Sequence, residues 1–170
     1  GRLTKNKGVI YLVRAAQTIK GTVVIVGDGP ERATLEAEIK KRNIKNVVFI
    51  GYLQTSNPLY HAFYERAKLY VSPSVWDEPL GLTILEALAA NTTVVATRKG
   101  GVTSIITDGV NGALVRARNS KEIARVVNEL LLDEVLRKKL RDVGYKTVVE
   151  KFAWEKIALR FEKLYEETRV

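Results

Sequence analysis

The chain is 170 residues long, has a formal net charge of +9, and contains no cysteine, no methionine and one histidine, His61. These counts leave no disulfide framework, thiolate metal site, cysteine nucleophile or histidine-rich metal centre, and no apolar run approaches the ~18 residues that cross a bilayer. The length suits one domain, 1–170, with a sizeable core, and the missing methionine leads us to expect a piece excised from a larger protein.

The chain opens on a loop, Gly1-Arg2-Leu3-Thr4-Lys5-Asn6-Lys7-Gly8. Val9, Ile10, Leu12, Val13, Ala16 and Ile19 then recur at helical spacing. Residues 22–26 read as a short apolar strand, which Gly27-Asp28-Gly29-Pro30 turns into a helix over 30–42. Residues 46–50 read as the next strand, closed by Gly51, with a helix over 58–66 after it. A strand over 68–72 is followed by Pro73 and Pro79, and an apolar helix begins near Gly81. The strand 93–97 leads through Gly100-Gly101 to a short helix near 102–107, a turn over 108–112 and a last strand, 113–115. After Asn119-Ser120, a good N-cap, helices are expected over 120–132, 133–150 and 154–168. The last carries Trp154, Ile157, Ala158, Phe161, Leu164 and Tyr165 on one face.

Short Val/Ile-rich strands that lack two-residue alternation and take turns with helices predict a parallel sheet covered on both faces. With right-handed crossovers the fold class is α/β, a Rossmann-like doubly wound parallel sheet in three layers, α/β/α, with C-terminal helices. Ligands of such sheets sit beyond the carboxyl ends of the strands, where the loops 1–8, 27–31, 51–57, 72–81 and 97–102 gather.

The most informative stretch is 71–90. A loop feeding a helix leaves the backbone N–H groups of Gly81, Leu82 and Thr83 without helical partners, an arrangement that receives anions. Glu78 stands before this helix start and Glu86 lies inside the helix, among Ile84, Leu85, Ala87 and Leu88. Glu86 reads either as a solvent-facing carboxylate or as a ligand group. Gly27-x-Gly29 has Arg32 where a dinucleotide fingerprint needs a third glycine, so it reads as a tight turn. Arg2 and Lys7, on the same rim, are either ordinary surface cations or partners for phosphate. There is no D-x-D pair to hold a metal on a diphosphate. His61 and Trp76 read as packing residues. The positive excess at Arg137, Lys138, Lys139, Arg141, Lys146 and Lys151 reads as a solvated helix face, with no nucleic-acid-binding signature beside it.

Glu78-Pro79-Leu80-Gly81-Leu82-Thr83-Ile84-Leu85-Glu86 resembles the E-x7-E motif of the large retaining glycosyltransferase family 4, the glycosyl transferases group 1. Gly1-Arg2-Leu3 with Lys7-Gly8 resembles that family's entry segment. Val26-Gly27-Asp28-Gly29-Pro30, Val48-Phe49-Ile50-Gly51, Pro73-Ser74, Gly100-Gly101, Asn111-Gly112 and the tail 152–158 follow in its order. The chain therefore resembles the C-terminal, donor-binding domain of a GT-B glycosyltransferase. The resemblance implies binding of a nucleotide-sugar donor (a UDP-, GDP- or ADP-sugar) as substrate, with no cofactor or metal, and retaining transfer of a hexosyl group to a glycan, lipid or small-molecule acceptor. It implies a partner in an absent N-terminal GT-B domain, and near inactivity of the isolated piece. By analogy Arg2 and Lys7 hold the diphosphate with the N–H groups of Gly81, Leu82 and Thr83. Glu86 meets the ribose, Tyr52 and Leu53 meet the base, and Glu78 lies by the transferred sugar. Leu80 replaces the family's usual aromatic in this donor site. A cytoplasmic enzyme is implied, with a basic surface that suits peripheral attachment to anionic lipid. Three alternatives stand beside this one: a sugar phosphorylase, a sugar-nucleotide epimerase of the same fold, or a noncatalytic nucleotide-binding scaffold.

Overall fold

The computed structural model describes residues 1–168. Five strands alternate with helices in the order α1 (Val9–Ala16), β1 (Val23–Val26), α2 (Arg32–Lys41), β2 (Val47–Gly51), α3 (Pro58–Arg66), β3 (Leu69–Ser72), α4 (Leu82–Ala89), β4 (Thr93–Thr97), α5 (Val102–Ile105) and β5 (Ala113–Val115). Three helices close the chain, α6 (Ser120–Leu132), α7 (Glu134–Lys151) and α8 (Trp154–Glu167). Every expected element is present, although α1 stops at Ala16, short of Ile19.

The strand ladders are parallel, β1 with β2 and β4 with both β3 and β5. The fold is the α/β, Rossmann-like class that the strand composition predicts. One feature departs from a continuous sheet: the ladder is interrupted between β1 and β3, which gives a two-stranded and a three-stranded part. Apolar packing bridges the interruption. Leu12 and Val13 of α1, Ile25 of β1, Val95 of β4, and Ile123 and Val127 of α6 share one core. A second core on the opposite face holds Ile84 and Leu88 of α4, Val94 and Ala96 of β4, Val102 and Ile105 of α5, and Val148 of α7. Successive residues of β4 thus serve opposite cores, so the whole strand is buried.

Burial on both faces does not extend to β1 and β2. Val24, Val48 and Ile50 are about half exposed while Val23 and Ile25 are buried, so these strands show the alternation that their sequences were not expected to need. The amphipathic stripe of α8 is likewise uncovered, with Trp154, Phe161 and Tyr165 largely exposed. α6 and α7 begin as their sequences suggest: Asn119 Oδ1 accepts from the Glu122 N–H and the Asp133 carboxylate from that of Leu136. Among the described residues no helix is long and apolar enough to cross a membrane.

Candidate functional site

Parallel strands deliver their following loops to one rim, and here two of those loops are fastened together. Gly8 has φ 62°, and a Cβ there would lie 2.1 Å from the Pro73 carbonyl oxygen. Only glycine allows this approach, and it brings the turn Lys5–Lys7 against the loop after β3. The Val75 N–H donates to the Asn6 carbonyl at 2.9 Å. Ser74, 2% exposed, places its hydroxyl 3.0 Å from the same carbonyl and 3.1 Å from Glu78 Oε1. Lys7 Nζ donates to Glu78 Oε1 at 2.6 Å, across 71 positions of sequence.

The backbone at Glu78 is held from behind. The Gly101 N–H donates to the Glu78 carbonyl at 2.7 Å, and the Gly100 N–H to Asp77 Oδ1 at 2.9 Å. A Cβ on Gly101 would stand 2.0 Å from the Pro79 carbonyl oxygen. Gly100-Gly101 is therefore a seat for the segment 77–79. Glycine at 27 and 29 has a similar use: a Cβ at either would collide with the backbone of Gly1 or Leu3. The G-x-G turn packs against the entry loop.

α4 starts at Gly81, in the left-handed region at φ 77°, with no side-chain cap. Among the described residues the N–H groups of Gly81, Leu82 and Thr83 find no acceptor, so the positive end of the helix faces the rim unneutralised. Ile84, Ala87 and Leu88 are buried beneath it, whereas Leu82 is 66% exposed and Leu80 is also exposed.

One turn further on, half-buried Glu86 receives two phenols. Tyr60 Oη and Tyr64 Oη donate to the same carboxylate oxygen, Oε2, at 2.8 and 2.9 Å. The Tyr60 and Tyr64 rings meet edge to face at 5.6 Å, and Tyr64 lies 5.5 Å from Tyr70. Burial, reinforced by the neighbouring carboxylate, raises the Tyr60 phenol above its ordinary range and the Tyr64 phenol far above it. The Tyr70 phenol is pushed up to about 12, chiefly by burial.

Arg2 is exposed, and with Lys7, Tyr60, Tyr64 and Thr83 it lines a cavity of about 580 Å³. Tyr52, 71% exposed, and half-buried Leu53 stand on the loop after β2, and the Tyr52 phenol is close enough to Tyr60 to raise its pKa. Arg2, Lys7, Glu78, the start of α4 and Glu86 therefore occupy one region of the rim. Tyr52 and Leu53 form no hydrogen bond with them among the described residues.

Two expectations fail. His61 is exposed on α3, with only an edge contact to Tyr60 at 5.3 Å, because the half-buried side of that helix, which reaches Glu86, is the one bearing Tyr60 and Tyr64. Trp76 is 55% exposed and does not fill the loop, whose interior is taken by Ser74 and the Lys7–Glu78 pair. Sequence reasoning quoted Ser74 only as part of the family's pattern, without a task, and missed the two tyrosines. The i, i+4 spacing of Tyr60 and Tyr64 was the available signal, but nothing local says what that face meets.

The profile of the family glycosyl transferases group 1 matches residues 1–147. A glycosyltransferase of Methanocaldococcus jannaschii, MJ1607, is 36% identical over 170 residues, which cover 97% of this chain and 43% of the relative. The crystal structure of Anabaena HepE in complex with UDP superposes with a TM-score of 0.90 at 25% identity, over 98% of this chain and 47% of that one. The C-terminal domain of the glycosyl transferase group 1 family protein LpcC from Francisella tularensis superposes with a TM-score of 0.79 at 34% identity, over 89% of this chain and 83% of that one. The chain thus spans a little under half the length of the first two proteins and most of the separately crystallised C-terminal domain.

Proposed function

The chain belongs to the glycosyl transferases group 1, and from that membership we propose that residues 1–170 are the nucleotide-sugar-binding domain of a two-domain, retaining glycosyltransferase. The full enzyme transfers a hexosyl group from a nucleoside diphosphate sugar to an acceptor held by an N-terminal domain. The observation that carries this reading is the meeting of Lys7 with Glu78 at 2.6 Å on the rim that also holds the uncapped start of α4. A cation, a carboxylate and free N–H groups are what a diphosphate joined to a sugar requires.

Each group has a task on this reading. The diphosphate lies over the N–H groups of Gly81, Leu82 and Thr83, between Lys7 and Arg2, with Leu80 beside it. Glu86 accepts from the ribose hydroxyls, and the backbone of Tyr52 and Leu53 meets the base. Cleavage of the sugar–phosphate bond leaves an additional negative charge on the departing diphosphate. Fixed cations and backbone dipoles at that place stabilise the charge as it develops. In this mechanism Arg2, Lys7 and the helix start do so without a metal. Glu78, at the sugar end, accepts from sugar hydroxyls or balances positive charge at the anomeric carbon. Its contact with Lys7 keeps it aimed, and Ser74 supplies a second donor to the same oxygen.

The match to a structure of HepE that contains UDP supports the nucleotide part of this reading. Isothermal titration of the chain with UDP-, GDP- and ADP-sugars tests it. One of the three is expected to bind, with affinity lost in Glu86→Ala. Binding of none of them, or a Glu86→Ala chain that binds as well as the parent, overturns it.

A further inference from the structure

Among the described residues, Glu86 is the carboxylate of the site whose partners are two neutral hydroxyls on another helix. Tyr60 and Tyr64 are four residues apart on α3 and point the same way, and both reach Glu86 Oε2. Among the described residues Oε1 has no hydrogen-bond donor, and no lysine, arginine or histidine pairs with this carboxylate. Two donors on one oxygen fix the orientation of the carboxylate plane and saturate one face of it. The other oxygen remains as a single acceptor of fixed position.

The choice of phenols matters chemically. An arginine or lysine in their place would neutralise Glu86 and compete with any hydroxyl brought to it. Neutral donors hold the carboxylate while leaving its full charge available, and hydrogen bonds to a charged acceptor are the stronger kind. The raised pKa values of both phenols agree with a purely donating role.

We propose that Tyr60 and Tyr64 are positioning residues that dedicate Glu86 Oε1 to the vicinal 2′,3′-hydroxyls of a bound ribose, and so make the site select ribonucleotides over deoxynucleotides. The inference rests on the assignment of Glu86 to the ribose made above. It adds the element that turns a half-buried helical carboxylate into a selective one. The edge-to-face contact of the two rings and the seat of Tyr64 on Tyr70 hold the pair rigid, which a specificity device needs.

The test is titration of the 170-residue chain with UDP and 2′,3′-dideoxy-UDP, and with the corresponding GDP and ADP pairs. The parent is expected to prefer the ribonucleotide by about tenfold or more, the effect of losing one or two hydrogen bonds to a charged group. In Tyr60→Phe/Tyr64→Phe that ratio falls to within about threefold of unity. The variant's affinity for the dideoxy form stays within about twofold of the parent's, a pattern that general loosening of the fold does not produce. Tyr60→Phe alone, at the less buried of the two positions, is expected to give an intermediate ratio and serves if the double variant does not fold. A double or single variant that keeps the full parental ratio overturns the inference while leaving the ribose assignment of Glu86 intact. A parent that binds both forms equally overturns that assignment, and the inference with it.

Discussion

Lys7 and Glu78 are 71 residues apart in sequence and 2.6 Å apart in space. The contact depends on two glycines that do no chemistry. Gly8 lets the entry loop lie on Pro73, and Gly101 lets segment 77–79 lie on the loop after β4. The pair has a consequence for charge. The cation and the carboxylate balance one another on the rim, with Lys7 aimed at Glu78.

The first prediction follows from that balance. Lys7→Ala is expected to weaken binding of the nucleoside diphosphate by about tenfold or more, the scale of one charge-assisted contact. Glu78→Gln is expected to act in the opposite sense on the bare diphosphate, which binds equally well or more tightly once a nearby negative charge is removed. The same substitution removes the extra affinity that the sugar contributes. Titration of both variants with UDP and a UDP-sugar, or the matching pair for another base, checks both signs.

Gly101→Ala tests the seat of the Glu78 loop. A Cβ 2.0 Å from the Pro79 carbonyl oxygen cannot be accommodated without displacing one backbone from the other. Thermal unfolding is expected to show a loss of about 1–3 kcal/mol, in the range of overpacked sites. Affinity for a nucleotide sugar falls more than affinity for the nucleotide alone, because the displaced segment carries Glu78. Equal losses for the two ligands would contradict this account.

Alkaline pH should unfold the chain partly through Tyr64. Its phenol is held well above the ordinary ~10 by burial and by the negative charge of Glu86. The native state therefore keeps a proton that the unfolded chain gives up. The contribution is fully present below pH ~10 and is lost as pH rises from there toward the folded value. Chemical denaturation between pH 8 and 11 is expected to show this decline, with a flatter alkaline limb in Tyr64→Phe.

At the acid end Glu38 is the group to follow. Hydrogen bonds from Arg42 and Arg14 hold its carboxyl below the ordinary ~4.3. Stability from this group is present above that value and is lost as pH falls through the folded one. Glu38→Gln is expected to cost up to ~1 kcal/mol at neutral pH, the scale of such pairs, and to flatten the acid limb of the stability profile. A parental acid limb in the variant would show that the arginine pairs contribute nothing.

The sequence alone determined the class of fold and the rim of it on which the candidate site is expected. Runs such as Val23–Val26 and Thr93–Thr97 are apolar and β-branched, and glycine and proline punctuate them, so strand and helix alternation could be read directly. The side of the sheet that carries the ligand loops then follows from parallel topology alone. The stretch from Glu78 to Glu86 and the cations Arg2 and Lys7 were legible because their spacing is local. What lay beyond local spacing was the set of partners. The meeting of Lys7 with Glu78, the burial of Ser74 between two loops, and the delivery of Tyr60 and Tyr64 to Glu86 each depend on how α3, α4 and the entry loop are placed against one another. The same holds for the exposure of His61, Trp76 and the face of α8. Periodicity shows that a helix has two faces, but only the tertiary packing decides which of them meets protein, because burial is a property of the neighbour as much as of the residue.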